Sequence, residues 1–351
     1  MADPPYLGVI EGFYGRAWSH DARMAYATHL SHLGLNSYLY CPKSDVFLRK
    51  RWRESWPLAQ RKEVEELAAV YSENELDFGL GLSPFELYRN YDAQNKQALK
   101  EKVRHLYSVG APTLAILFDD MPGDMPDLAS RQAEIVADVQ SWAPQLRLIV
   151  CPTYYSFDAA LEKHFGPIPP NYWAQLGREL NADVELFWTG NRVCSDAISA
   201  ADIDRINGEL GRKVTLWDNY PVNDGAQRSN HVYCAALAHR DPSISDKVMG
   251  HYCNPMNQPQ LSLLALAGLP ELYGRETPGL LTYLQEVFTR ETFEQLQMDA
   301  NEFETLGLSG MGKRRCRELA LLYSGLGGDV AHEVFQWLQE EYAFDPACLT
   351  D

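Results

Sequence analysis

The sequence lacks the features that mark several large functional classes. Its 351 residues hold only 31 Lys and Arg against 48 Asp and Glu, a formal net charge of −17. A nucleic-acid or anionic-membrane surface would repel such a chain unless a basic patch were concentrated locally. The one basic cluster, 49–53, is short and reads as a solvated loop. Seven cysteines include no C-x-x-C spacing, so neither a disulfide framework nor a zinc ribbon is expected. Cys41, Cys151 and Cys253 sit beside Pro or Asn at apparent strand ends, and a reducing, cytoplasmic setting fits them best. No charged-then-apolar leader is present, although a leader already removed would leave no trace, so export stays open. The longest apolar run, 261–269, is far below the roughly 20 residues a membrane span needs. No G-x-G-x-x-G follows a strand, no HExxH or EF-hand loop occurs, and the nine histidines are scattered. Neither a metal nor a cofactor is therefore expected.

What the sequence does hold is a regular alternation. Short β-rich apolar runs bounded by turn residues occur at LGVIEGF (7–13), SYLYCP (37–42), DFGLGLS (77–83), TLAILFDD (113–120), RLIVCP (147–152), VELFWTG (184–190), VTLWDNY (214–220) and VMGHYCNP (248–255). Between them, apolar residues recur at helical spacing in 23–33, 61–71, 95–109, 130–142, 172–180 and 200–210. Strands alternating with helices over about 250 residues predict a closed parallel (β/α)8 TIM barrel rather than an open doubly wound sheet. Runs such as ILF and LIV are apolar at successive positions, as strands buried on both faces require. Residues 259–351 carry helical spacing only. The expectation is an α/β protein with the barrel over 1–284 and a small helical appendage over 285–351. In the appendage Leu319, Leu322 and Leu326 form an apolar face, read either as packing against the barrel or as a homodimer interface.

Active sites of such barrels are built at the C-terminal ends of the strands. There the sequence places EGFYGR (11–16), Lys43, Asp119, Asp120, Tyr154, Tyr155, Trp188, Trp217, Asp218, Asn219, Asn223, Asp224, Asn254 and Asn257. Singly, each of the polar ones suits a cap or a turn. Together, rings beside amides and carboxylates suit a sugar, whose apolar face packs on aromatics while its hydroxyls take directed hydrogen bonds. Asp119 and Asp120 are adjacent, and like charges that close disfavour simultaneous ionisation, which favours acid–base work over a shared metal. Most glycosidases set two carboxylates across the scissile bond, roughly 5 Å apart or more. Neighbours at one strand end do not bracket a bond that way. They fit a substrate that supplies its own nucleophile, as a 2-acetamido group can.

Through VIEGFYG (9–15), YCPKSD (40–45), WRESWP (52–57), LFDDMP (117–122), CPTYY (151–155), FWTG (187–190), WDNYPVND (217–224) and CNPMNQ (253–258), the sequence resembles glycoside hydrolase family 84. These are the β-N-acetylglucosaminidases that include O-GlcNAcases. The resemblance implies retaining, metal-independent exo-hydrolysis of β-linked GlcNAc on glycoproteins or glycopeptides through an oxazoline intermediate. It implies that Asp119 orients and polarises the acetamido nitrogen, and that Asp120 protonates the leaving oxygen and later activates water. Tyr155 would hydrogen-bond the acetamido oxygen and Asn219 would support Asp119. Tyr14, Cys151 and Trp217 would line the acetyl pocket, while Gly12, Lys43, Asp224 and Asn254 would hold the sugar hydroxyls. Val193 would border the leaving-group side. Tyr154 stands where the family usually carries Glu, and Ser44–Asp45 where it often has two acids. The chain opens directly at the first strand, without the amino-terminal α/β domain of many bacterial members, which leaves recognition of a protein substrate open. Two other readings stand beside this one. A hyaluronidase-like endo-glycosidase is disfavoured because so acidic a chain matches a polyanion poorly, and a non-hydrolytic GlcNAc-binding barrel is disfavoured by the retention of both acids.

Overall fold

The computed structural model describes residues 6–346. Eight strands, β1 (Tyr6–Glu11), β2 (Ser37–Tyr40), β3 (Asp77–Leu82), β4 (Thr113–Leu117), β5 (Arg147–Cys151), β6 (Glu185–Trp188), β7 (Val214–Asp218) and β8 (Val248–Cys253), pair in sequence order as a closed barrel. Every ladder is parallel, and β1 closes on β8 from Tyr6↔Gly250 to Val9↔Cys253. The apolar strand positions are buried on both faces, with Ile116, Val150 and Leu216 all at 0% exposure. Each run read from the sequence extends past its strand, because its last residues leave the ladder to form the mouth.

Helices fill the connections where local chemistry starts and stops them. His20–Leu33 begins at Ser19, whose side chain accepts from Ala22 N, and ends at Gly34 with φ 73°, a conformation glycine adopts freely. Asp92 caps Ala93–Tyr107, and a reciprocal Ser199–Asp202 capping box opens Ala200–Leu210.

The N-terminal end of the barrel is closed by a polar cluster. Arg147 donates to Glu185 at 2.6 and 2.9 Å and to Asp77 at 3.2 Å, and Thr215 also donates to Glu185. Arg147 reaches Tyr252 Oη at 2.9 Å, a bond from β5 to the non-neighbouring β8 that must cross the lumen. The C-terminal mouth is left as the open end.

The helices Leu280–Phe288, Arg290–Thr305, Gly307–Leu326 and Gly328–Leu338 form the C-terminal part. Position 284/285, where the sequence suggested a division, lies inside the first of them. Glu333 accepts from the backbone N–H groups of Gln260 and Leu261 at 3.0 and 2.9 Å, capping the helix Pro259–Leu266 that follows β8. The apolar face expected from the appendage is divided: Leu319 is buried at 2% exposure, Leu326 is half-buried and Leu322 is 41% exposed. Leu321, at 77%, is the more exposed neighbour, because Leu319 and Tyr323, four residues apart, share the core-facing side of the helix while Leu321 and Leu322 lie on the other.

Candidate active site

The residues singled out as catalytic or substrate-binding come together. Asp119, Asp120, Gly12, Tyr14, Lys43, Cys151, Tyr155, Val193, Trp217, Asn219, Asp224 and Asn254 all line one cavity of about 150 Å³ at the C-terminal mouth. β4 delivers the two acids. Phe118 N remains bonded to Cys151 O at 2.9 Å, and the chain then turns at Asp120, whose φ of 56° lies in the left-handed region. For a residue with a side chain that conformation costs about 1–3 kcal/mol, and it is kept where adjacent acids must face one cavity.

The wall opposite is built by close approach. Gly12 N donates to Asn254 Oδ1 at 3.2 Å, and a Cβ at Gly12 would meet Trp217 Cζ2 at 2.4 Å, so glycine is what lets the indole close in. Asn219 Oδ1 accepts from Trp217 Nε1 at 3.1 Å and Asn254 Nδ2 at 2.9 Å, while Asn219 Nδ2 donates to Val193 O at 2.8 Å. The hydrogen bond from Asn219 to Asp119 that the resemblance implied is not formed in this structure, where Asn219 ties the ends of β7 and β8 to the loop after β6.

Lys43, delivered just after β2, clamps both acids, with Nζ 2.5 Å from Asp119 Oδ2 and 3.0 Å from Asp120 Oδ2. The Tyr14 hydroxyl donates to Asp120 Oδ2 at 2.7 Å, Tyr14 N donates to Asp224 Oδ2 at 2.8 Å, and Arg49 Nη1 donates to the Tyr14 hydroxyl at 3.2 Å. Here the basic cluster departs from expectation. Lys50, Arg51 and Arg53 are exposed, but Arg49 is only 6% exposed and sits one layer behind the acids. Asp45 folds it inward by capping Phe47 N at the 3-10 turn Val46–Leu48 and accepting from Trp56 Nε1 and Gln60 Nε2 at 2.8 Å each.

The electrostatics follow from burial and these partners. Burial alone would lower Lys43, but Asp119 and Asp120 outweigh it and hold the ammonium well above its usual range. Burial pushes Asp120 up, yet Lys43, the Tyr14 hydrogen bond and Arg49 together bring it below the ordinary carboxylate value. Tyr14 is raised to about 12, chiefly by burial, and Asp224 is also raised by burial. Asp119 Oδ1 is buried and has no hydrogen-bond partner. Among the described residues no three His, Cys, Asp or Glu side chains gather as a metal site would require. The cation facing the acids is the Lys43 ammonium.

Other strand-end residues brace the cavity rather than line it. Tyr154 is 1% exposed and donates to Gly166 O at 2.7 Å; Trp188 packs on Phe157 and Trp173. Asp218 pairs with Arg240, Asn223 donates to His231 O and Gln258, and Asn257 donates to Tyr14 O. Thr189, Cys194 and Val222 complete the cavity wall and were not foreseen. Thr189 follows Trp188 at the end of β6 and was open to the same strand-end reasoning; the other two carry no chemical signature.

A family model described as beta-N-acetylglucosaminidase (NAGidase) matches residues 7–305. The chain belongs to this family. The Protein O-GlcNAcases of Mus musculus and Rattus norvegicus are each 26% identical to it over 282 residues, which cover 78% of this chain and 30% of theirs. The chain thus spans under a third of the length of these relatives. A solved O-GlcNAc hydrolase mutant from Thermobaculum terrenum is 28% identical, with a TM-score of 0.72, covering 96% of this chain and 81% of that one. The solved structure of CpGH84B, 22% identical with a TM-score of 0.75 over 96% of this chain and 67% of its own, shares the fold. As a β-N-acetylglucosaminidase family member the chain carries its two adjacent acids in the mouth of the family barrel, and no helix among the described residues is long and apolar enough to cross a membrane.

Proposed function

We propose that this protein is a retaining exo-β-N-acetylglucosaminidase that removes single GlcNAc residues from Ser or Thr of proteins and peptides by substrate-assisted catalysis. The observation that carries the reading is Asp119. One of its oxygens accepts from Lys43, while Oδ1 is buried without a partner. An unpaired buried acceptor is costly, and a 2-acetamido group brings the N–H that would satisfy it. Holding that N–H, Asp119 turns the acetamido oxygen toward the anomeric carbon, with Tyr155 donating to that oxygen. As the oxygen bonds to the carbon and the glycosidic bond breaks, Asp120 gives its proton to the leaving oxygen and Asp119 takes the amide proton, which leaves an oxazoline. Asp120, now a carboxylate, draws a proton from water as the water attacks the same carbon. The oxazoline opens and recovers its proton from Asp119. Two displacements at one centre retain its configuration.

The surroundings of Asp120 favour the ionised form, which suits the water step. The first step needs the acid form, and it arises when the sugar hydroxyls draw Lys43 toward themselves and away from Asp120. Gly12, Asp224 and Asn254 share those hydroxyls. A cavity of about 150 Å³ suits one sugar ring. The activity for which the O-GlcNAcase relatives are named supports protein-linked GlcNAc as the substrate, and six unpaired cysteines among the described residues support a reducing, cytoplasmic setting. The test is an aryl glucosaminide series bearing N-acetyl, then mono-, di- and trifluoroacetyl groups, with and without chelator. Rates should fall progressively as the acyl oxygen loses nucleophilicity and should ignore the chelator; a flat series refutes the mechanism.

A further inference from the structure

Two walls of the cavity, Val193–Cys194 in the loop after β6 and Trp217 with Asn219 at the end of β7, come from different segments. We infer that Arg240, which lies outside the cavity, is a positioning residue that fixes where Trp217, a wall of the acetyl pocket, stands relative to Val193–Cys194 and thereby the selectivity for the acyl group on the substrate nitrogen. The identity of that ligand rests on the function proposed above.

Arg240 is 7% exposed and spends its donors in two directions. Nε and Nη2 each reach the Asp218 carboxylate at 2.7 Å. Nη1 donates to Asp196 O at 2.9 Å and Ala238 O at 3.1 Å, and Nη2 also donates to Ser195 O at 3.0 Å. Asp218 lies between Trp217 and Asn219, and Ser195 and Asp196 directly follow Val193 and Cys194. One guanidinium therefore bolts the Asp218 side chain, set between two residues of one wall, to the backbone just past the other. The Asn219 side chain makes a second tie at the cavity surface, through Val193 O at 2.8 Å.

The local backbone is arranged for this. His239 has φ 58°, a costly conformation for a residue with a side chain, and it immediately precedes Arg240. His239 O accepts from Ile198 N and Ile198 O accepts from Asp241 N, both at 3.0 Å, so the far end of the loop is held to the same segment. Neutralising Asp218 explains the two carboxylate bonds, and His251 Nε2 stands 3.1 Å from the same carboxylate. It does not explain the three carbonyl bonds. Those require a planar fork of five donors, which a lysine ammonium cannot reproduce.

Arg240→Lys separates the two roles, since it keeps the buried charge pair and loses the bolt. The variant should fold, with a melting temperature lowered by the carbonyls it leaves unpaired. On aryl glucosaminides its kcat/KM for the N-acetyl substrate should fall about 10-fold or more, and its N-propionyl to N-acetyl ratio should rise about 10-fold, the scale on which a pocket discriminates one methylene. Amide exchange over 190–196 should accelerate. An unchanged acyl ratio with unchanged exchange overturns the inference and leaves Arg240 a counter-charge. If the lysine variant does not fold, Asp218→Asn with Arg240→Gln removes both charges together and is read in the same way. If the parent protein cleaves none of these glycosides, the proposed function fails, and exchange over 190–196 in Arg240→Lys still decides whether the bolt exists.

Discussion

Replacing Tyr14 with phenylalanine keeps the ring against the cavity and deletes one donor to Asp120. The deleted bond is the 2.7 Å contact from the hydroxyl to Asp120 Oδ2, while Arg49, 3.2 Å from the same hydroxyl, keeps its through-space attraction for the acid. A hydrogen bond to a charged group contributes about 1.5–3 kcal/mol. At about 1.4 kcal/mol per unit, losing it should raise the Asp120 pKa by about 1–2 units. The sign is fixed because the bond stabilises only the carboxylate. A general acid works protonated, so kcat/KM for a substrate with a poor leaving group declines as pH rises through its pKa in the free enzyme. The alkaline limb of that profile should therefore move upward by about 1–2 units in Tyr14→Phe. The limb reports Asp120 within its charged surroundings rather than as an isolated group. With a leaving group that needs no proton, the limb should shrink in the parent and the variant alike. A limb that stays in place or moves downward refutes the assignment of Asp120 as the acid that Tyr14 tunes.

Asp120→Asn should lose about 10²–10⁴-fold on substrates with poor leaving groups and far less on dinitrophenyl glycosides, whereas Asp119→Asn should damage both; equal losses across leaving groups would contradict the division of labour. Gly12→Ala places a Cβ 2.4 Å from Trp217 Cζ2. It should cost about 1–3 kcal/mol in urea unfolding as well as activity, and an unmoved midpoint with full activity would show that the indole has room to spare. Burial raises the Glu333 carboxyl from 4.5 to about 8, so the folded chain holds a proton there that the unfolded chain releases. Stability of the parent relative to Glu333→Gln should fall as pH rises from 5 to 8, by up to about 1.4 kcal/mol per unit. Parallel stability curves for the two proteins would refute this.

The barrel was legible because its strands are buried on both faces and alternate with helices of clear period, and the acids were legible because they sit where one such strand stops. Long-range partners were not. Arg49 looked like part of a solvated run because Lys50, Arg51 and Arg53 surround it, and only the turn capped by Asp45 distinguishes it from them. Tyr154 and Tyr155 are neighbours of one type, yet the first is directed at Gly166 O and the second at the cavity, a choice made by the loop after β5. Arg240 carries no motif at all. Its importance comes from carbonyls more than forty residues earlier in the chain, which no local pattern announces.

On the function proposed above, the packed barrel and the polar cluster around Arg147 at its far end leave the C-terminal mouth as the way in and out. A vessel with one doorway admits sugar, aglycone and water only by turns. In the proposed reaction the severed aglycone would have to clear the threshold before water followed, and the freed sugar would leave last. Accumulating sugar therefore re-enters the seat it has just vacated and competes with fresh substrate, so emptying the cavity belongs to the turnover cycle as much as breaking the bond does.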